Sequence, residues 1–261
     1  MRQFVCRASL MPAILAVALT TALGGCQPRG GALSGAGSLN TGSTAPASFK
    51  GTAALGEAWQ ADPQNVNKGL AFASGLESIG QIDQQLSVLE QLYRSHPNDS
   101  RVALLYGKIL VKTDRGADAL PVLEKAAALP NADWRVHNAL ASAYDQQSLF
   151  EKAQAEYGAA LKLQPNELSV LNNMAMSMAL HGDLKRAEQM LRTTNALPQA
   201  STEPRLRQNL ALVVGLQGRY EESRKIASQD LPQDQVEANL EYLRQMTAQP
   251  NTWQQLSDGK S

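Results

Sequence analysis

Prolines punctuate this chain at a nearly constant interval. Pro63, Pro97, Pro130, Pro165 and Pro198 lie 34, 33, 35 and 33 residues apart. A fixed period in this range marks a solenoid, in which each repeat is one supersecondary unit stacked on its neighbours. The last four prolines each close a unit of two amphipathic runs, and the clearest unit is Trp134 to Glu167. Leu140, Ala141 and Tyr144 recur at helical spacing in its first half, followed by Phe150, Ala153, Tyr157, Ala160 and Pro165. Ala141, Ala153 and Ala160 are expected where the two helices cross, because only a small side chain lets the backbones approach closely. Tyr144 and Tyr157 are expected to fill the space between units. Pro165 should end the second helix, since it has no N–H to donate and its ring clashes with the preceding turn.

Four further units share this pattern with different fidelity. Val66 to Asp99 has Phe72, Ala73, Leu76, Gly80 and Leu89, with Gln85 in place of the packing alanine. Ser100 to Pro130 has Leu105, Tyr106, Gly107, Leu110, Ala119, Leu123 and Ala126, and Leu168 to Pro198 has Met174, Ala175, Met178, Gly182, Ala187 and Leu191. Pro204 to Asp230 has Leu210, Ala211, Val214, Gly218 and Tyr220, with Ser223 for alanine. Leu55 to Pro63 reads as the second half of a truncated unit. Gln233 to Thr247, with Val236, Leu240, Leu243 and Met246 on one side, reads as a capping helix. The composition agrees: 43% of residues are hydrophobic but only 5% aromatic, and Ala and Leu favour helices over a β-sandwich. The 34-residue unit closely resembles the tetratricopeptide repeat. That resemblance implies an all-α solenoid, a right-handed superhelix of helix–turn–helix units, over residues 52–247.

Ahead of the repeats lies an export signal. Met1 to Arg7 holds two arginines and no acid, and Leu10 to Leu23 is an uncharged run. Fourteen residues are too few to span a bilayer, which takes about 20, but they suit a signal-peptide core. The run ends in Leu23-Gly24-Gly25-Cys26, which resembles the bacterial lipobox. By that resemblance residues 1–25 are cleaved and Cys26 carries the lipid. Cys6 lies inside the signal, so the mature chain keeps one cysteine and forms no internal disulfide. Gln27, where an Asp is absent, implies sorting to the periplasmic face of the outer membrane in a Gram-negative host. Residues 26–51 are rich in Gly, Ser, Ala, Thr and Pro and are expected to form a flexible linker. About 25 such residues reach roughly 25–30 Å. Residues 248–261 are read as a tail.

Charge and motifs narrow the function. The 24 basic and 24 acidic residues become 22 and 24 once Arg2 and Arg7 leave with the signal. A near-neutral body makes no electrostatic case for nucleic acid. His96, His137 and His181 fall at different repeat positions without ligand spacing, so no metal is expected. No GxSxG, HExxH, Walker or dinucleotide pattern sits on a suitable element. An enzyme, a cofactor and a small-molecule substrate are therefore not expected. Glu221-Glu222 opens a helix, where acids favour the dipole.

In tetratricopeptide arrays the first helix of each unit lines a concave surface. Carried onto this sequence, that surface holds Asn67, Leu70, Ser74 and Glu77, then Arg101, Leu104, Lys108 and Val111, then Arg135, Asn138, Ser142 and Asp145. The last two units add Ser169, Asn172, Met176 and Ala179, then Arg205, Gln208, Leu212 and Gly215. Leucine, valine and methionine at open positions beside basic residues are expected to bind an amphipathic or acidic protein segment.

The C-terminal stretch narrows the family. Arg207 to Leu212 reads RQNLAL, Gly218 and Tyr220 follow, Asp230-Leu231-Pro232 comes next, and a VEANL.YLR helix runs from Val236 to Arg244. This resembles TadD-like lipoproteins of the tight-adherence (Flp) pilus assembly machinery. The resemblance implies a scaffold whose partners are proteins, the secretin or a neighbouring component, and whose membrane contact is its lipid anchor. Two alternatives stay open. One is a type IV pilus pilotin or a barrel-assembly lipoprotein; the other, of a different class, is a cell-wall enzyme or its activator.

Overall fold

The computed structural model of the chain describes residues 49–248. The expected signal peptide, Cys26, the linker up to residue 48 and the tail beyond Ala248 lie outside the described residues. Among the described residues there are twelve α-helices, one 3-10 turn and no strand. A lone helix, α1 (Phe49–Gln60), is followed by five pairs. These are α2 (Val66–Ser78) with α3 (Ile82–Ser95), α4 (Ser100–Lys112) with α5 (Gly116–Ala127), and α6 (Trp134–Gln146) with α7 (Phe150–Leu163). Then come α8 (Leu168–Leu180) with α9 (Leu184–Asn195), and α10 (Pro204–Leu216) with α11 (Tyr220–Ala227). The last helix is α12 (Gln233–Ala248). Each expected unit holds one pair.

Local chemistry sets the starts and stops. Asn65, Asp99, Asp133 and Glu167 precede α2, α4, α6 and α8, and each side chain accepts a hydrogen bond from a backbone N–H of the first turn. Pro204 opens α10 instead, at a position whose N–H would be unpaired anyway. Within every pair the chain turns through one left-handed residue: Gly80, Asp114, Ser148, Gly182 or Gly218, with φ between 55° and 90°. The next residue's N–H reaches back to the first helix: Gln81 to Leu76, Arg115 to Leu110, Leu149 to Tyr144, Asp183 to Met178, and Arg219 to Val214. This is the Schellman closure, made five times.

Packing follows the repeat. Ala119, Ala153 and Ala187 are wholly buried at the crossings, as are Ala141 and Ala160. Gln85 is buried at the equivalent site with its Oε1 unpaired. Ser223 is buried as well, and its hydroxyl donates to the Ala211 carbonyl at 2.7 Å. Tyr157 is buried, as is Tyr144, whose hydroxyl donates to Glu124 at 2.7 Å.

Two boundaries differ from the sequence reading, and one feature is additional. Helix α1 takes in Phe49, Lys50 and Gly51, the end of the segment read as linker. The reason is that Thr52, Gly56 and Trp59 are buried on one face, and a turn ahead of them is needed to hold that face in register. The half-unit read at Leu55 to Pro63 is this helix. Its Trp59 ring lies 5.8 Å from Phe72, and the indole N–H donates to the Pro63 carbonyl at 3.2 Å. Helix α12 ends one residue later than expected, and a 3-10 turn, Pro198–Thr202, lengthens the join between α9 and α10.

Candidate protein-binding face

First helices of successive pairs from α4 to α10, and α12 after them, touch one another, whereas second helices of neighbouring pairs meet far less. The row of first helices therefore runs along the inside of the curve. Of the expected face residues, Ala179 and Gly215 are buried, Ala179 in the apolar core and Gly215 beneath Leu243 of α12; the others are exposed or half-buried.

Their surroundings differ along the row. Leu70, Leu104 and Val111 pack in part against the apolar cluster of the first three pairs, and Met176 against that of the fourth and fifth. Leu212 packs against the cluster that α12 completes through Val236, Leu240 and Leu243. Each divides its surface between the core and solvent, so the terminal helix covers part of what reads in sequence as open.

The basic residues are not a free stripe. Arg101 donates through Nε and Nη2 to Asp99 at 3.1 and 2.7 Å, and through Nη1 to Asn67 at 2.9 Å. Arg135 donates to Asp133 at 2.9 Å, and its guanidinium lies 5.0 Å from the Trp134 ring centre. Arg205 approaches Glu203 at 3.8 Å. Asp99 and Asp133 thus cap a helix and balance the arginine two residues on. Arg101 beside it holds the Asp99 carboxyl below its usual value. Of the four basic face residues, Lys108 alone forms no ion pair among the described residues.

Farther along, carboxamides join the first helices. Asn173 donates to Asn138 at 3.2 Å, and Asn209 donates to Asn172 at 2.7 Å. Sequence positions pick out Asn138 and Asn172 but miss Asn173 and Asn209, each one position later in the following unit. Gln208 is half-buried next to Asn209. Between the third and fourth pairs sits a polar group. Tyr157 donates to Asp145 Oδ2 at 2.8 Å, Ser177 donates to Oδ1 at 2.6 Å, and Gln154 donates to Ser177 at 2.9 Å. Burial pushes the Asp145 carboxyl above its usual value and raises the Tyr157 hydroxyl too.

The C-terminal signature residues are structural. Arg207 grips Asp230 with two bonds of 2.7 and 2.5 Å, tying α10 to the turn ahead of α12. Arg224 bonds Glu237 at 2.7 and 3.0 Å, and Arg244 lies 5.3 Å from the Tyr220 ring centre. Among the histidines, His137 meets Glu156 at 2.7 Å and His181 stacks on Phe150 at 4.0 Å. Among the described residues no three His, Cys, Asp or Glu side chains gather as metal ligands would.

No protein-family model and no curated protein matches the chain. Solved structures do. PilW, a widely conserved type IV pilus biogenesis factor, superposes with a TM-score of 0.64 at 18% identity, over 74% of this chain and 89% of its own. A tetratricopeptide repeat protein from Parabacteroides merdae gives 0.62 at 12% identity, over 74% and 77%. A thermophilic protein of the same repeat type from Thermus thermophilus gives 0.59 at 19%, over 68% and 97%. The pairing, the turns and these superpositions agree: the chain has the all-α solenoid fold of the tetratricopeptide-repeat proteins.

Proposed function

We propose that this chain is a lipid-anchored scaffold of the outer membrane that docks a component of the tight-adherence pilus secretion system, the secretin or a neighbour, on its inner face. One observation carries the docking part. Half-buried Leu70, Leu104, Val111 and Met176 lie on the first helices of their pairs, as do exposed Lys108 and half-buried Asn138 and Asn172. A carboxamide has two N–H donors and an oxygen with two lone pairs, so each Asn pair keeps capacity for the main chain of an extended segment. Apolar side chains of that segment would gain burial against the first two pairs. The pilus assignment rests on the C-terminal pattern, and the anchor on Leu23 to Cys26.

Two measurements test this. Cys26→Ser should abolish incorporation of a labelled fatty acid, and label kept on the Ser variant would remove the anchor from the proposal. Reversing Arg101, Lys108 and Arg135 to Glu breaks the exposed pairs with Asp99 and Asp133, at about 0.2–1 kcal/mol each. Lys108 has no ion pair to lose among the described residues. The triple variant should keep its helical signal yet lose the pilus component that co-purifies with the wild type from membranes. If it folds and recovers that component undiminished, the inner face is not the docking site. The likeness to PilW favours a second reading, a type IV pilus factor. Recovery of a type IV rather than a tight-adherence secretin would select it.

A further inference from the structure

The junction between the third and fourth pairs differs from the one before it, at a place where the first pair also holds an acid, Glu77, faced by Lys112 of the next pair at 3.9 Å. One repeat earlier, the equivalent junction is made by Val111, Leu120, Leu123 and Ala143, and the last two are wholly buried. Thirty-four residues on, the same four places hold Asp145, Gln154, Tyr157 and Ser177. Apolar residues make this contact without any charge to desolvate. A half-buried carboxylate costs the fold more than the alternative the chain itself uses.

Asp145 has one hydrogen bond on each oxygen and no counter-charge among the described residues. Hydroxyls of Tyr157 and Ser177 donate to one oxygen each. An ionised carboxylate accepts about four such bonds, so roughly half its capacity is open. Among the described residues no Lys, Arg or His pairs with it. It is half-buried, on the helix row that carries Arg135 and Asn138. Those bonds join the two pairs, but a neutral acceptor could take them as well, so the fold does not account for the charge itself.

We infer that Asp145 is the receptor for a cationic side chain, Lys or Arg, on the segment that docks on the inner face. This rests on the docking role proposed above and adds the partner's chemistry to it. The cation completes the carboxylate with a charge-assisted bond. With Lys108 one pair earlier left to meet an acidic group, the two sites together set the direction in which the segment lies.

The test uses the full mature chain and a displayed library of random dodecapeptides. Wild-type selections should converge on peptides with one fixed Lys or Arg. Asp145→Asn keeps the shape and removes the charge; its oxygen retains one hydroxyl bond, and the other hydroxyl turns to accept from the new NH2. It should weaken the selected peptide roughly 10- to 100-fold. Replacing the peptide's cation by Gln should weaken the wild type equally and the Asn variant no further. The Asn variant should melt at the same temperature as the wild type or higher. A melt lowered by several degrees would make the carboxylate a structural pin and overturn the inference. So would selected peptides without a cation, or equal affinity for both proteins, although the face would then still bind. A wild type that selects no peptide at all would remove the docking role and this site with it.

Discussion

Asp114 and Ser148 occupy the turn position that glycine holds in the other three pairs. A left-handed conformation costs an L-residue roughly 1–2 kcal/mol, while glycine loses more freedom on folding, about 0.5–1 kcal/mol. Ser148→Gly should therefore stabilise the array by about 0.5–1 kcal/mol. Gly80→Ala should cost a similar amount. Its cause there is backbone strain alone, since nothing lies within 4 Å of an added Cβ. Urea unfolding of both variants checks this, and a Gly80→Ala protein as stable as wild type would refute it. Gly80, Gly182 and Gly218 are readable as turn residues in the sequence. Ser148 is not, because serine does not announce a positive φ, and Asp114 only weakly, since aspartate is enriched there but far commoner elsewhere; the Schellman bonds around them show it.

At the scale of helices, close approach rules. An added Cβ on Gly107 would lie 2.4 Å from Leu123, and Ala153 and Ala187 have no exposed surface. Ala153→Phe or Ala187→Phe should overpack the crossing and cost about 1–3 kcal/mol or more. Melting followed by circular dichroism reads it, and unchanged melts for both would put the helix crossing elsewhere. The terminal helix depends on a different device. Arg207 and Asp230 are both largely shielded, with side chains 21% and 10% exposed. Arg207→Ala leaves that carboxylate without its cation. Amides of α12 should then exchange faster with solvent while those of α4 to α7 keep their protection. Uniformly faster exchange would mean the pair stabilises the whole stack rather than fastening its cap. The resemblance to TadD-like proteins marks Arg207, Asp230 and the α12 residues. Their contacts show that the marked residues hold the end of the array together, whereas the face residues lie elsewhere.

Across the whole molecule the charges oppose one another in their pH dependence. Asp145 has its carboxyl pushed above the usual 3.8 by burial. A raised carboxyl disfavours the ionised form in the folded state, so the folded chain holds its proton more tightly. The contribution is complete below the unfolded value and is lost as pH rises through the folded one. Asp99 runs the other way: Arg101 lowers it, and its contribution is lost on acidification. Asp145→Asn should therefore gain most over wild type near neutral pH, with the gap closing as the pH falls to the usual 3.8 or below. Melting temperatures of both proteins at several pH values decide it, and a gap that widens on acidification would reverse the sign argued here.

The sequence by itself determined the number of repeats, the residue at which each unit's first helix begins and the small side chains at the crossings. Those features are local, or recur at a fixed period. Helical spacing, a capping acid and a closing proline each act within a turn or two of chain. Tertiary structure alone decided which face residues are shared with the core. Leu212 is half-covered because α12 settles against α10, and no periodicity states where a terminal helix will lie. It also decided the bonds between units: Asn172 with Asn209 and Asp145 with Ser177. They join residues 37 and 32 positions apart, and their meeting depends on the stacking of one helix pair on the next. The physical reason is that a side chain picks its partner by distance in space, and the superhelix, through the register it imposes between units, sets that distance.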